Sequence, residues 1–224
     1  MSRLAVVTAA RGRHDHLAAQ RTTLALSERT PDLRVVVAMG DDRITGPDVV
    51  HLDVAPDARL PVGAARNLAA ATAIEAGAET LVFLDVDCLV GPDTLAAYEV
   101  AVADRPDMVW CGPVTYLRAE DRPYPLTALE TLHDPHPLRP APEPGTREAS
   151  DDWELFWSLS FAISADAWTR AGGFDETYTG YGAEDTDLGQ RFRALALGLG
   201  WVGDAPAYHQ HHPISDPPVE HVAD

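Results

Sequence analysis

The chain has 224 residues, of which 46% are hydrophobic, and it carries a formal net charge of −18 at pH 7. This length and composition suffice for one sizeable core and predict a single folded domain. The negative charge argues against nucleic-acid binding driven by phosphate contacts, and any phosphate-bearing ligand would need a local cation or a metal ion.

The sequence indicates neither a membrane span nor a signal peptide. No apolar run approaches the roughly 20 residues that cross a bilayer, and the N-terminus leads directly into a strand-like run. We therefore expect a cytoplasmic protein without a transmembrane segment. The two cysteines, Cys88 and Cys111, lack the spacing of a metal site and are expected to be reduced and buried.

The first half of the chain alternates between short apolar strands and helical patterns. The predicted strands are residues 4–9, 33–39, 49–54, 81–84 and 108–111, and the predicted helices are residues 14–28, 64–76 and 92–103. This alternation predicts an α/β fold with a largely parallel sheet flanked by helices. In such folds ligands bind beyond the carboxyl ends of the strands.

Polar residues follow three of these predicted strands. Thr8 and Arg11 end the first, Asp41 follows the second, and Asp85-Val86-Asp87 follows the strand at 81–84. Because these strand ends meet at one edge of the sheet, we expect the polar residues to converge on one ligand site. Two aspartates on opposite sides of an extended backbone can have different roles. One can bind a metal ion, and the other can contact a ribose or an arginine.

Regular patterning stops between residues 118 and 152, where seven prolines forbid a long helix or a central strand. A loop of this length is either a lid over a substrate or a disordered surface segment, and the sequence favours neither. Beyond it, residues 159–163 predict a strand and residues 164–171 predict a helix.

The densest group of candidate residues lies between 172 and 191. Two glycines and Tyr181 precede Glu184 and Asp185, and apolar spacing from Leu188 to Leu199 predicts a helix that begins at these acids. A well-capped helix would account for the acids alone, since the helix dipole favours them there. The glycines would let a ligand approach the backbone closely, and the tyrosine offers a ring on which a ligand could stack. Both features favour a ligand-binding site.

A histidine cluster near the C-terminus supplies imidazoles at positions 209, 211 and 212. One imidazole with one carboxylate and phosphate oxygens suits Mn²⁺ better than Mg²⁺. A solvent-exposed tail is the alternative interpretation of this cluster.

Taken together, these motifs resemble the family 2 glycosyltransferases with the A-type fold. The similarity is greatest to the branch with the chondroitin polymerases, the β-galactosyltransferases and the polypeptide N-acetylgalactosaminyltransferases. The motifs that carry it are Asp85-Val86-Asp87, Gly173-Phe174-Asp175-Glu176, Gly180-Tyr181-Gly182-Ala183-Glu184-Asp185 and Ala207-Tyr208-His209-Gln210.

The resemblance implies one catalytic domain over residues 1–224, with a proline-rich insertion at about 118–152 and a histidine-rich tail at 209–224. It implies a metal-dependent, inverting hexosyltransferase that acts in polysaccharide or glycoconjugate biosynthesis. The donor would be a nucleotide sugar, most simply a UDP-sugar, and the acceptor a carbohydrate or another hydroxyl compound.

The resemblance also assigns roles to residues. Asp185 would be the catalytic base, and Asp87 with His209 would bind Mn²⁺ (or Mg²⁺), His211 being the alternative histidine. Asp85 would face the nucleotide sugar. Further residues would line the substrate pocket, namely Tyr181, Glu184 and Trp157, or the nucleotide site, namely Thr8, Arg11, Asp41 and Arg66.

Two other functions are weighed against this one. A nucleotidyltransferase that makes sugar nucleotides shares the fold class, but it needs a glycine-rich loop after the first strand, where Thr8-Ala9-Ala10-Arg11-Gly12 has one glycine. A non-catalytic carbohydrate-binding module would use Tyr181 and the tryptophans at 153 and 157, but would leave Asp185 without a purpose.

Overall fold

An eight-stranded sheet lies at the centre of the protein in a computed structural model that describes residues 2–180 and 182–213. The strands are β1 (Leu4–Ala10), β2 (Leu33–Met39), β3 (Val49–Leu52), β4 (Thr80–Leu84), β5 (Cys88–Val90), β6 (Met108–Cys111), β7 (Val114–Tyr116), β8 (Arg147–Ser150), β9 (Ser160–Ser164), β10 (Gly198–Val202) and β11 (Ala207–His209). The helices are α1 (His14–Leu26), α2 (Val62–Glu75), α3 (Thr94–Asp104), α4 (Ala165–Ala171) and α5 (Glu184–Ala194).

The large sheet has the strand order β3-β2-β1-β4-β9-β6-β10-β8. Neighbouring strands are parallel from β3 to β4 and between β6 and β10, whereas β9 and the edge strand β8 are antiparallel to their neighbours. Strands alternate with helices in the first half of the chain, as the sequence predicts. The carboxyl ends of β1, β2 and β4 therefore lie at one edge of the sheet.

Small side chains let α2 pack closely on β1 and β2. Ala65, Ala69 and Ala73 are fully buried in this contact. On the same face, Phe83 of β4 stacks on Phe161 of β9 with ring centroids 4.5 Å apart. Further aromatic rings extend this cluster to α4 and α5, namely Trp153, Phe156, Trp168, Phe174 and Phe192. The chain that leads into α5 is thus anchored to the core through Phe174.

A second sheet of three short strands, in the order β5-β11-β7, was not predicted from the sequence. In it, β11 is antiparallel to β5 and parallel to β7, and His209 lies opposite both Cys88 and Tyr116. Strands of three residues are too short to show a two-residue periodicity, which is why the pattern gives no signal for them. This small sheet fixes where His209 lies.

The sequence interpretation was wrong about the end of the motif helix. α5 ends at Ala194, and Leu199 lies in β10, where it pairs with Val109. Ala196 adopts a left-handed backbone conformation, with φ of 57°, which turns the chain out of the helix. Leu195 and Leu199 are therefore spaced as in a helix, although Leu195 follows the end of α5 and Leu199 belongs to β10.

The proline-rich insertion is largely irregular, with two short 3₁₀ helices at Ala119–Asp121 and Leu129–Leu132 and the edge strand β8. Leu129 and Arg139 are buried, so the insertion packs against the rest of the protein at these points. A lid over a substrate remains one of the two interpretations of this segment.

Both cysteines, Cys88 and Cys111, are buried and unbridged, as expected. Within residues 2–180 and 182–213, no helix is long and apolar enough to cross a membrane. The cytoplasmic location expected from the sequence stays a prediction.

Candidate functional site

A buried arginine on α2 interacts with three carboxylates at the edge of the sheet where the strands β1, β2 and β4 end. Arg66 is 7% exposed, and its Nη2 donates to Oδ1 of Asp85 at 2.6 Å. Its Nη1 lies 3.8 Å from Oε1 of Glu184 and 3.6 Å from Oδ1 of Asp185. The guanidinium also lies over the ring of Phe174, 5.1 Å from its centroid. Arg66 was predicted to line the nucleotide site, and the structure places it between the Asp-Val-Asp motif and the Glu-Asp motif.

Burial, together with neighbouring acids, raises the pKa of two of these carboxylates. Burial raises the pKa of Asp85 to about 6, with Arg66 opposing the shift and Asp87 adding to it. Burial and the neighbouring Asp185 also raise the pKa of Glu184. Glu184 is oriented locally, because its Oε2 accepts the backbone N–H of Gly182 at 2.9 Å.

Asp185 is held in place by a residue that the sequence did not suggest. Its Oδ2 accepts the backbone N–H of Ser158 at 3.0 Å, and its Oδ1 accepts the Ser158 hydroxyl at 2.5 Å. Ser158 is fully buried, whereas the Asp185 side chain is 31% exposed. The carboxylate is therefore fixed from the protein side and open on the other. No pattern around Ser158 points to this role, since the contact joins residues 27 positions apart.

One carboxylate and two imidazoles converge at the end of β4. Nε2 of His209 lies 3.4 Å from Oδ1 of Asp87, and Nε2 of His212 lies 3.4 Å from its Oδ2. All three ligand atoms lie within 4.8 Å of one another. This donor set fits a divalent transition metal ion, because imidazole and carboxylate suit Mn²⁺ and its neighbours in the series. Burial lowers the pKa of His209, although the nearby Asp87 opposes this shift. The lowered pKa favours the neutral imidazole, which is the form that binds a metal ion.

The structure brings His212, and not the expected alternative His211, to this cluster. The His211 backbone is engaged elsewhere, since its N–H donates to the Tyr124 hydroxyl and its carbonyl accepts from Arg122. The Gln210 N–H donates to the Asp87 carbonyl at 2.7 Å and fixes the segment beside the cluster. Strict alternation along a strand would place His211, and not His212, on the same side as His209, but β11 ends at His209 and the chain beyond it is irregular.

A cleft of about 440 Å³ lies beside the cluster. Its lining residues are Arg13, His14, Asp15, His16, His212 and Pro213. Nη1 of Arg13 lies 3.9 Å from Oδ2 of Asp87, so a cation stands next to the candidate metal site. The sequence interpretation chose Arg11 for this kind of contact, but Arg11 donates to the backbone carbonyls of Ala55 and Pro56. Arg13 was missed.

The other predicted nucleotide residues lie in different positions. Asp41 is buried near the cleft, where its Oδ2 accepts the Gly12 N–H at 2.8 Å and lies 2.9 Å from Nε2 of His14. Thr8 lies within β1 and not at its end, and its hydroxyl donates to the Leu84 carbonyl at 3.0 Å. With 2% exposure, Thr8 supports the sheet and does not line the cleft.

Two predicted substrate residues remain. Trp157 is half-buried and directly precedes Ser158, the partner of Asp185. Tyr181 lies outside the described residues.

Known proteins resemble this chain in sequence. A family model for the N-terminal domain of galactosyltransferase matches residues 148–212. Validoxylamine A glucosyltransferase from Streptomyces hygroscopicus subsp. jinggangensis is 29% identical over 212 residues, which cover 81% of this chain and 47% of that protein. Chondroitin synthase from Pasteurella multocida is 26% identical over 157 residues, which cover 57% of this chain and 16% of the synthase. The chain thus spans less than half the length of these relatives.

Solved structures share the fold at low sequence identity. GalNAc-T7, crystallised with UDP, GalNAc and Mn²⁺, has a TM-score of 0.65 and 13% identity, covering 95% of this chain and 44% of that one. Residues 1–349 of TarS from S. aureus, in complex with UDP-GlcNAc, have a TM-score of 0.63 and 13% identity, covering 95% and 60%. The resemblance drawn from the motifs is confirmed: the chain resembles the family 2 glycosyltransferases in sequence and has the A-type glycosyltransferase fold.

Proposed function

We propose that this chain is a metal-dependent, inverting hexosyltransferase that moves a sugar from a UDP-sugar to a hydroxyl group of an acceptor. The observation that carries the proposal is the Arg66 cluster, which joins Asp85 and Asp185 beside the group formed by Asp87, His209 and His212. UDP is the proposed nucleotide because GalNAc-T7 and TarS were crystallised with UDP and UDP-GlcNAc, respectively.

The donor side of the site is built from the metal cluster and the cleft. Asp87, His209 and His212 would hold Mn²⁺ (or Mg²⁺), which when bound supplies positive charge that stabilises a departing diphosphate. Arg13 adds a guanidinium at the same place, which offsets the strong negative charge of the chain for an anionic ligand. Asp41 lies near the cleft through its contact with His14 and is the proposed partner of the nucleoside.

Asp185 is the proposed general base. A carboxylate oxygen takes the proton from the acceptor hydroxyl as that oxygen bonds to the anomeric carbon, and the bond from this carbon to the diphosphate oxygen breaks. Attack opposite the leaving group inverts the anomeric configuration. Ser158 holds both carboxylate oxygens, so the base keeps its orientation during the reaction.

Glu184 and Asp85 have supporting roles in this proposal. Both contact Arg66, and both have a raised pKa because of burial and neighbouring acids. Glu184 lies beside the base and would accept hydrogen bonds from sugar hydroxyls. Asp85 would face the donor sugar, with Arg66 fixing its carboxylate.

An activity assay distinguishes this function from its two rivals. Incubation with Mn²⁺ and a panel of nucleotide sugars and acceptors should release nucleoside diphosphate and form a glycoside. Release of pyrophosphate from a nucleoside triphosphate and a sugar phosphate would instead identify a nucleotidyltransferase. Binding of sugars without turnover of any donor would identify a carbohydrate-binding module.

Calorimetry tests the metal assignment independently of turnover. We expect Mn²⁺ to tighten UDP binding at least about tenfold, which is about 1.4 kcal/mol, because the ion and Arg13 share the charge of the diphosphate. Alanine at Asp87, His209 or His212 should abolish this gain. His211→Ala is the matched control and should keep it. Equal UDP affinity in chelator and in Mn²⁺ would contradict the metal site.

Ser158→Ala tests whether the orientation of Asp185 matters. The variant loses the hydroxyl contact but keeps the backbone N–H, so we expect kcat to fall about tenfold, equivalent to about 1.4 kcal/mol, with an unchanged KM for the donor. Ser150→Ala in β8 makes the same chemical change at a hydroxyl that accepts the Asp152 N–H, and it should have no effect on kcat. A Ser158→Ala enzyme with wild-type kcat would show that the base needs no such support.

A further inference from the structure

Three aromatic rings form a continuous row between the two ends of the candidate site. We name the row of Tyr116, His136 and Trp157 the aromatic stripe. The rings of Tyr116 and His136 have centroids 5.5 Å apart, and those of His136 and Trp157 are 5.4 Å apart. Both pairs meet edge to face, at 63° and 71°. The stripe thus joins β7, the proline-rich insertion and the segment before β9.

One end of the stripe lies at the metal cluster, and the other end lies in the segment that holds Asp185. At one end, the Tyr116 ring lies 4.7 Å from the ring of His209, a member of the metal cluster. At the other end, Trp157 directly precedes Ser158, whose N–H and hydroxyl hold Asp185. A molecule lying along the stripe would therefore extend from the candidate metal site toward the segment that holds Asp185.

Backbone and side-chain contacts hold the rings of the stripe in place. The His136 N–H donates to the Val114 carbonyl at 2.7 Å, which places the insertion against β7. Arg139, 4% exposed, lies between two indole rings, 5.2 Å from the centroid of Trp157 and 4.9 Å from that of Trp201. Its Nη1 also donates to the Trp157 carbonyl at 3.3 Å. Rings fixed before binding lose little entropy when a ligand stacks on them.

Core packing alone does not account for this arrangement. Tyr116 remains 44% exposed, and His136 and Trp157 are only half-buried, although all three are large rings fixed by neighbours. An amphipathic aromatic surface beside a polar site suits a ligand that has both apolar faces and hydroxyl groups. The pyranose ring of a saccharide has this chemistry. The net charge of −18 favours a neutral saccharide over an anionic one.

We propose that the aromatic stripe is the acceptor subsite and binds a neutral pyranose ring by stacking on Tyr116, with Trp157 and His136 flanking it. This inference rests on the proposed function, since it identifies the acceptor of that site as a saccharide. The stripe then directs one acceptor hydroxyl toward Asp185, while other hydroxyls face the acids around Arg66.

Binding of sugars without nucleotide tests the stripe directly. Saturation-transfer NMR of the full chain with maltose, cellobiose and lactose should show binding of at least one disaccharide, with contacts through its C–H face. Tyr116→Leu keeps an apolar side chain but removes the ring, and we expect it to weaken this binding at least about tenfold. Trp157→Leu should do the same. Tyr116→Phe keeps the ring and should retain binding, as should Val100→Ala, an exposed substitution on α3.

The possible outcomes distinguish a failure of the stripe proposal from a failure of the proposed function. Wild-type affinity in both leucine variants, or no binding of any of the three disaccharides to the wild-type protein, would overturn the stripe. Turnover of a UDP-sugar with an acceptor KM that neither leucine variant changes would leave the glycosyltransferase proposal standing and reject the stripe. Disaccharide binding that depends on Tyr116, in a protein that consumes no nucleotide sugar, would support the stripe and reject the transferase.

Discussion

Replacement of Asp185 with asparagine is expected to lower the rate of sugar transfer by roughly 10²- to 10⁴-fold, which is the usual contribution of a general base. The amide keeps the shape of the carboxylate, and its oxygen can still accept the N–H of Ser158. It has no basic oxygen to receive the proton of the acceptor hydroxyl. Steady-state kinetics with a UDP-sugar would measure the loss, and calorimetry with UDP and Mn²⁺ should show unchanged nucleotide binding.

Two variants on the same helix serve as comparisons for Asp185→Asn. Asp187→Asn makes the same change on α5, at a side chain 3.7 Å from Arg191, and should leave transfer close to the wild-type rate. Glu184→Gln should raise the acceptor KM as well as slow turnover, because Glu184 is proposed to bind sugar hydroxyls. If Asp185→Asn folds, binds UDP and transfers sugar at nearly the wild-type rate, the base lies elsewhere, and Glu184 is the next candidate.

Replacement of Arg66 with methionine is expected to destabilise the protein by about 3 kcal/mol, the lower end of the range for breaking a buried ion pair. Methionine fills much of the arginine volume but leaves Asp85, Glu184 and Asp185 without their shared cation. The lower end of the range applies because the Asp85 side chain is 33% exposed and regains some hydration. Urea denaturation would measure the change in the free energy of unfolding.

A surface ion pair provides the matched control for Arg66. Arg105 and Asp107 lie 3.9 Å apart with side chains 57% and 64% exposed, so Arg105→Met should cost less than about 1 kcal/mol. Asp85→Asn in the Arg66→Met background should restore part of the lost stability, because it removes one of the uncompensated charges. Equal stability of the wild type and Arg66→Met would show that the three carboxylates do not need the guanidinium.

The sequence predicted most of the large sheet because its strands are continuous apolar runs. β2 and β6 have the predicted bounds, and α1 begins at the predicted residue His14. Such runs are typical of parallel strands that are buried on both faces, and their signal does not depend on distant residues. The motif acids that follow β4 and those that begin α5 were recognised because each group lies directly beside an apolar pattern in the sequence.

The contacts of the site could not be predicted in the same way. Ser158 is an ordinary small residue in the sequence, and it matters only because β9 brings the segment before it to the start of α5. Arg13 and His212 each approach Asp87 from a separate part of the chain. The residue types in the site were visible in the sequence, but the choice among neighbouring arginines and histidines depended on tertiary packing.

The position of β11 between β5 and β7 has a consequence for the order of folding. Neither of the two earlier strands has its partner in the small sheet until residues 207–209 arrive, so this sheet forms through contacts between distant parts of the chain. Closing a loop of about 120 residues carries a substantial entropy cost, and such contacts form slowly. During synthesis, the strands of the large sheet from β1 to β4 leave the ribosome well before β11. We therefore expect the Asp87, His209 and His212 cluster to be among the last parts of the protein to assemble.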